Sequence, residues 1–130
     1  LSKTEKNQLQ NEIPDLMFTF HDAILSEIKV EDEQTINFTI ILYELFYPDQ
    51  STVKLRFKGT SNMRKFLSVI QKIEMDLLEH DEDGYRIDGI HYCKKRVSRL
   101  GQLHFWVAID HFKPFRIQCE DIELDMMTVG

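Results

Sequence analysis

The sequence predicts a single α+β domain, residues 1–130, with an antiparallel sheet of about six strands and one long amphipathic helix packed on a face. Three observations predict it. From Leu16 to Phe57 the chain is rich in β-branched and aromatic residues broken by turn chemistry, the texture of a strand meander. From Ser61 to Glu79 the apolar residues recur at helical spacing instead. Between Tyr85 and Leu124 three segments return to the period of two.

The elements follow in order. Ser2 with Glu5 forms a capping box for a short polar N-terminal helix, and Pro14 closes it by disfavouring helical geometry at Ile13. Only Leu9 and Ile13 give that helix an apolar edge. Ile24, Ile28 and Val30 share one face of the first strand, Glu31 to Gln34 turn the chain, and Thr35 to Phe46 return along a second. This strand carries Ile36, Phe38, Ile40 and Leu42 on one face and Ile41, Tyr43 and Leu45 on the other, which places it centrally. After the turn Tyr47-Pro48-Asp49-Gln50, Val53, Leu55 and Phe57 alternate with Lys54, Arg56 and Lys58, a half-buried strand with a basic outer face.

Gly59 ends that strand, and Thr60, Ser61 and Asn62 are candidate N-caps for the helix. Met63, Phe66, Leu67, Ile70, Ile73, Leu77 and Leu78 fall on its apolar side, with Arg64, Lys65, Gln71, Lys72 and Asp76 opposite. A competing period exists, because Ile73, Met75 and Leu77 alternate with Glu74 and Asp76 as a strand would. Glu, Met and Leu favour helix, so residues 73–79 are read as helical. The remaining strands are Tyr85 to Tyr92, Leu103 to Asp110 and Phe115 to Leu124. Gly89 marks a bulge in the first, and a change of parity between Cys119 and Ile122 predicts another near Glu120-Asp121 if the last segment remains one strand.

With 16 Lys and Arg against 22 Asp and Glu, the net charge of -6 repels polyanions and suits a basic protein partner. Cys93 and Cys119 form neither a CxxC pair nor a disulfide framework, as expected of free thiols in a reducing cytoplasm. No apolar run is long enough for a membrane span, and the polar N-terminus lacks the apolar stretch of a signal peptide. The chain begins at Leu1, which leaves a leader or a larger parent open.

The common enzyme signatures, including phosphate-binding glycine loops, the serine nucleophile elbow and HExxH, are absent. This lowers the expectation of an enzyme, although sites assembled in space leave no such trace. No catalytic residue, metal ligand set or cofactor is assigned. His91 and Cys93 share a strand face but are too few for a metal site, and Cys93 also serves as a small apolar filler. Carboxylates concentrate in Glu74 to Asp83 and in Glu120 to Asp125. The plain reading is a solvated charge run; the functional one is a patch of Glu79, Asp81, Glu82 and Asp83 that docks a basic partner. Lys94-Lys95-Arg96 with Arg99 is the dense basic segment, read as a hairpin loop balancing neighbouring acids rather than a nucleic-acid site. Trp106 lies opposite Phe105 on its strand, either in a small second core under the N-terminal segment or as an anchor for a partner.

Phe20-His21-Asp22-Ala23, followed by Ile24, a strand hairpin and Leu55-Arg56-Phe57-Lys58-Gly59, resembles a loose group of small bacterial proteins. That group carries an FHDA-type motif at the start of its first long strand, and some members are described as immunity proteins that neutralise toxins. The likeness covers roughly the first half of the chain and carries over no catalytic residue. Physically, His21 and Asp22 at a strand entrance are explained by side-chain bonds to local backbone, a structural clamp; the alternative is a functional site.

These readings favour a non-enzymatic protein–protein interaction module, of the immunity or inhibitor kind, neutralising a basic toxin or effector. The alternatives are a small-ligand or enzymatic domain with a pocket between helix and sheet, and a homo-oligomeric regulatory domain.

Overall fold

The computed structural model describes residues 9–10, 19–48, 52–79, 84–93 and 102–127. The elements are β1 (Leu9–Gln10), β2 (Ile24–Asp32), β3 (Thr35–Ile41), β4 (Thr52–Lys58), α1 (Met63–Glu79), β5 (Tyr85–Cys93), β6 (Leu103–Ile109), β7 (Phe115–Cys119) and β8 (Asp121–Met127). Hydrogen-bonded neighbours run β7-β6-β5-β2-β3-β4-β8, with β1 beside β5, and every pairing is antiparallel. The α+β class is as expected. The path holds seven strands rather than about six, because the last expected strand divides at Glu120 into β7 and β8.

That division shapes the sheet. β7 is one edge of the path and β8 the other, yet a single residue separates them. The two edges must therefore converge at Glu120, whose amide donates to the carbonyls of Lys58 (3.0 Å) and Gly59 (3.2 Å). Gly59 supplies the positive φ of 65° that this corner requires. The curl is visible in the core. β4 and β6 are four places apart along the path, about 19 Å in a flat sheet at ~4.8 Å per strand. The Phe57 and Phe105 rings nonetheless meet edge-on with centroids 5.4 Å apart, and Phe57 also packs on Phe38 at 5.1 Å.

α1 lies against β2 and β7, burying Met63, Phe66, Ile70 and Ile73. Phe66 stacks on Phe115 with centroids 5.2 Å apart. Residues 73–79 are helical, and the competing alternation is not used. Leu78, expected on the apolar face, is 84 % exposed. Each helical residue turns the face by about 100°, so Leu77 still packs on the core while Leu78 has rotated out.

Three further expectations need correction. The short N-terminal helix is not supported: Leu9 and Gln10 pair with Cys93 and Tyr92, and the rest of that segment lies outside the described residues. The reason is the edge that β5 offers, since β2 pairs with β5 only at Arg86 and Tyr85 and leaves its far end open. In β2 the register shifts between Leu25 and Glu27, so Leu25 and Ile28 are buried and Ile24 is not. β3 ends at Ile41 instead of running to Phe46, and the chain turns through Tyr43, with Leu45 and Phe46 exposed. β3 does lie inside the sheet between β2 and β4, but its second face carries the buried polar Asn37 rather than packed apolar groups. The anticipated irregularity at Gly89 is present as a register shift between Ile87 and Gly89.

Candidate functional site

The His21-Asp22 motif forms a tight turn before β2. Ala23 donates to the Phe20 carbonyl at 3.1 Å, and Asp22 adopts a φ of 63°, a left-handed geometry that Asp tolerates better than most residues. The turn is bound to β5 through Asp22 N to Ile87 O (3.0 Å) and Ile87 N to Ala23 O (2.7 Å). His21 Nδ1 donates to the Asp88 carbonyl at 2.7 Å, and its Nε2 lies 3.5 Å from Asp22 Oδ2. Arg86 holds the group together. Its guanidinium reaches both oxygens of Asp110 (2.9 and 3.0 Å), Asp22 at 2.8 Å, and Asp88. Bonds to Asp110 first, then Asp22 and Asp88, raise the Arg86 pKa further above its ordinary value.

Three carboxylates around one cation leave little free capacity for a ligand. Among the described residues no group of His, Cys, Asp and Glu side chains could hold a metal ion. Arg86, Asp88 and Asp110 were not singled out in the sequence; only the shared parity of Arg86 and Asp88 on β5 hinted at them. Asp110 joins through the β5–β6 pairing.

The acidic run of the final strand is also absorbed internally. Asp121, Glu123 and Asp125 stand opposite Lys58, Arg56 and Lys54 in register. Glu123 accepts from Lys58 Nζ at 2.7 Å and Arg56 Nη1 at 3.1 Å, while Arg56 also donates to Asn37 at 2.9 Å and Glu31 at 3.3 Å. Lys58, and secondarily Arg56, hold the Glu123 carboxyl below its ordinary range. The basic outer face of β4 and the acidic face of β8 are thus two halves of one ladder. Matching alternation in the two segments was the sequence signal for it.

The other acidic run ends α1. Glu79 is exposed at the last helical position, whereas Asp81, Glu82 and Asp83 lie outside the described residues. Beside Glu79, Met75 is 59 % and Leu78 84 % exposed, three residues apart and so neighbours on the helix surface. The basic segment Lys94 to Arg99 also lies outside the described residues.

Trp106 is half-buried on the outer face of the other half of the sheet, in a row with His91 on β5 and Arg116 on β7. The Arg116 guanidinium carbon sits 5.4 Å from the Trp106 ring centroid, within cation–π range. Trp106 borders an open cleft of about 440 Å³ between β7 and the first turns of α1, with Lys65, Val69 and Lys113 on its walls. Val69 and Glu79 are ten residues apart on α1, about 15 Å at 1.5 Å per residue. Trp106 and the acidic helix end therefore belong to two surfaces of opposite charge.

Cys119 is buried, and desolvation pushes its thiol up to about 12, which keeps it protonated near neutrality. Comparison with protein-family models, curated proteins and solved structures gives no match.

Proposed function

We propose that the protein is a protein–protein interaction module that takes a basic partner at the C-terminal end of α1, as an inhibitor or immunity protein would. The exposure of Met75 and Leu78 carries this reading. Most Phe, Ile and Leu side chains are buried; Leu45 and Phe46 stand exposed after β3, and Met75 and Leu78 stand exposed side by side on α1, where two uncovered apolar groups ask for a cover. Glu74 and Glu79 flank them, and Asp81, Glu82 and Asp83 follow in sequence. An apolar anchor with carboxylates beside it suits a basic partner.

Purification of the native chain and of a Met75→Ser, Leu78→Ser variant from the producing cells tests this. A stoichiometric basic protein held by the native chain and lost from an equally stable variant is expected. Retention of the same protein by the variant, or no basic partner with either, overturns the reading.

A further inference from the structure

Among the described residues, some cations are paired with carboxylates and others are not. Arg56, Lys58 and Arg86 are each held by carboxylates. Lys65, Lys113 and Arg116, which converge on the cleft beside Trp106, have no carboxylate partner among the described residues. In a chain of net charge -6, three such cations facing one cleft leave a local positive field that the fold does not neutralise.

We propose that this cleft binds an acidic segment of a partner protein. Lys65, Lys113 and Arg116 take its carboxylates, and Trp106 covers an adjacent apolar or peptide group. The Arg116 side chain is already laid against the Trp106 ring, so little conformational entropy is lost when it engages a carboxylate.

The shape favours an extended chain over a single small anion. The cleft adjoins a second open depression of about 670 Å³, and the two share Asn62, Lys65 and Gln118. Arg64 adds a fourth cation to the lining there, alongside Glu33. The two neighbouring depressions together suit a few extended residues at about 3.3 Å each. A nucleic acid is disfavoured because its backbone would extend beyond this patch into the field of a net acidic protein. This surface is separate from the acidic helix end, so the inference stands apart from the function proposed above.

Trp106 is the single tryptophan, and its fluorescence in the full chain reports on the cleft directly. The probe is a short capped peptide of alternating Glu and Leu, titrated at low salt. A Lys–Leu peptide and oligothymidylate serve as controls. The Lys65→Glu, Lys113→Glu variant leaves the Arg116–Trp106 stack intact, and Glu in the first helical turn suits the helix dipole, so the fold is retained.

A saturable emission change with the Glu–Leu peptide, weakened about tenfold or more in the variant and by added salt, is expected. No saturable change, an equal response to the Lys–Leu peptide, or undiminished binding by the variant overturns the proposal. Tighter binding of oligothymidylate overturns it in favour of nucleic acid. An emission change on concentrating the chain alone, with a rise in mass, overturns it in favour of a second copy.

Discussion

Arg86 grips Asp110 with two arms of its guanidinium, Nε 2.9 Å from one carboxylate oxygen and Nη2 3.0 Å from the other. A planar fork matched to a carboxylate fixes direction as well as charge. Its remaining reach goes to Asp22 and Asp88, so one side chain ties the turn before β2 to β5 and to the end of β6.

Replacing Arg86 by Met leaves three carboxylates facing one another, and the melting temperature should fall clearly, with partial recovery at high salt as their repulsion is screened. Arg86→Lys keeps the charge without the fork and should fall between. Asp22→Asn should also lower the melting temperature, since it keeps the left-handed turn but loses the charge that Arg86 holds. An unchanged melt with Asp22→Asn contradicts the structural clamp, and an activity lost alongside an unchanged melt marks the motif as functional.

Phe57 touches Phe38 on one side and Phe105 on the other, joining the two halves of the curled sheet. Phe57→Ala should cost about 3–5 kcal/mol by lost burial and a residual cavity. Urea unfolding measures this, and a cost near zero would mean that the two halves do not share one core.

Asn62 stands where a helix N-cap is expected, but its side chain serves the sheet. Its amide nitrogen donates to the Arg116 carbonyl at 3.0 Å and its oxygen accepts from the Gln118 amide at 2.9 Å, as the backbone of a neighbouring strand would. Asn62→Ala should cost about 1–2 kcal/mol and speed hydrogen exchange at the Gln118 amide. Asn62→Asp keeps the acceptor alone and should protect Gln118 without restoring full stability.

Glu123 has a folded pKa below its ordinary value of 4.5, because Lys58 and Arg56 favour the carboxylate. Its contribution is therefore fully present above pH 4.5 and is lost as pH falls through the lower folded value. The stability difference between the native chain and Glu123→Gln should be constant near neutrality and shrink on acidification below 4.5. Denaturant melts across this range check it; a difference that grows as pH falls contradicts the ladder.

Period alone located α1 and six strand segments, and the alternation of Val53, Leu55 and Phe57 or the helical spacing of Phe66, Ile70 and Ile73 records which face is buried. The parity change after Cys119 marked an irregularity at Glu120-Asp121, expected as a bulge within one strand, where the structure has a break between two. The sequence could not say what that break does. Whether it bends one strand or hands the chain from one sheet edge to the other depends on which distant strands pair, and local pattern carries no such information.

The surfaces divide in the same way. Composition located the acidic and basic segments and singled out Trp106 and the His21-Asp22 pair. Tertiary structure decided which charges cancel: Glu123 against Lys58 and Arg56, and Asp22 against Arg86, while Lys65, Lys113 and Arg116 gather around Trp106. The sequence by itself determined the helix, the buried face of a regular strand such as β4 and the sign of the net charge, since those follow from residue type and spacing. The curl of the sheet, the clamp around Arg86 and the separation of an acidic helix end from a basic cleft arise only when strands far apart in sequence are brought within hydrogen-bonding distance.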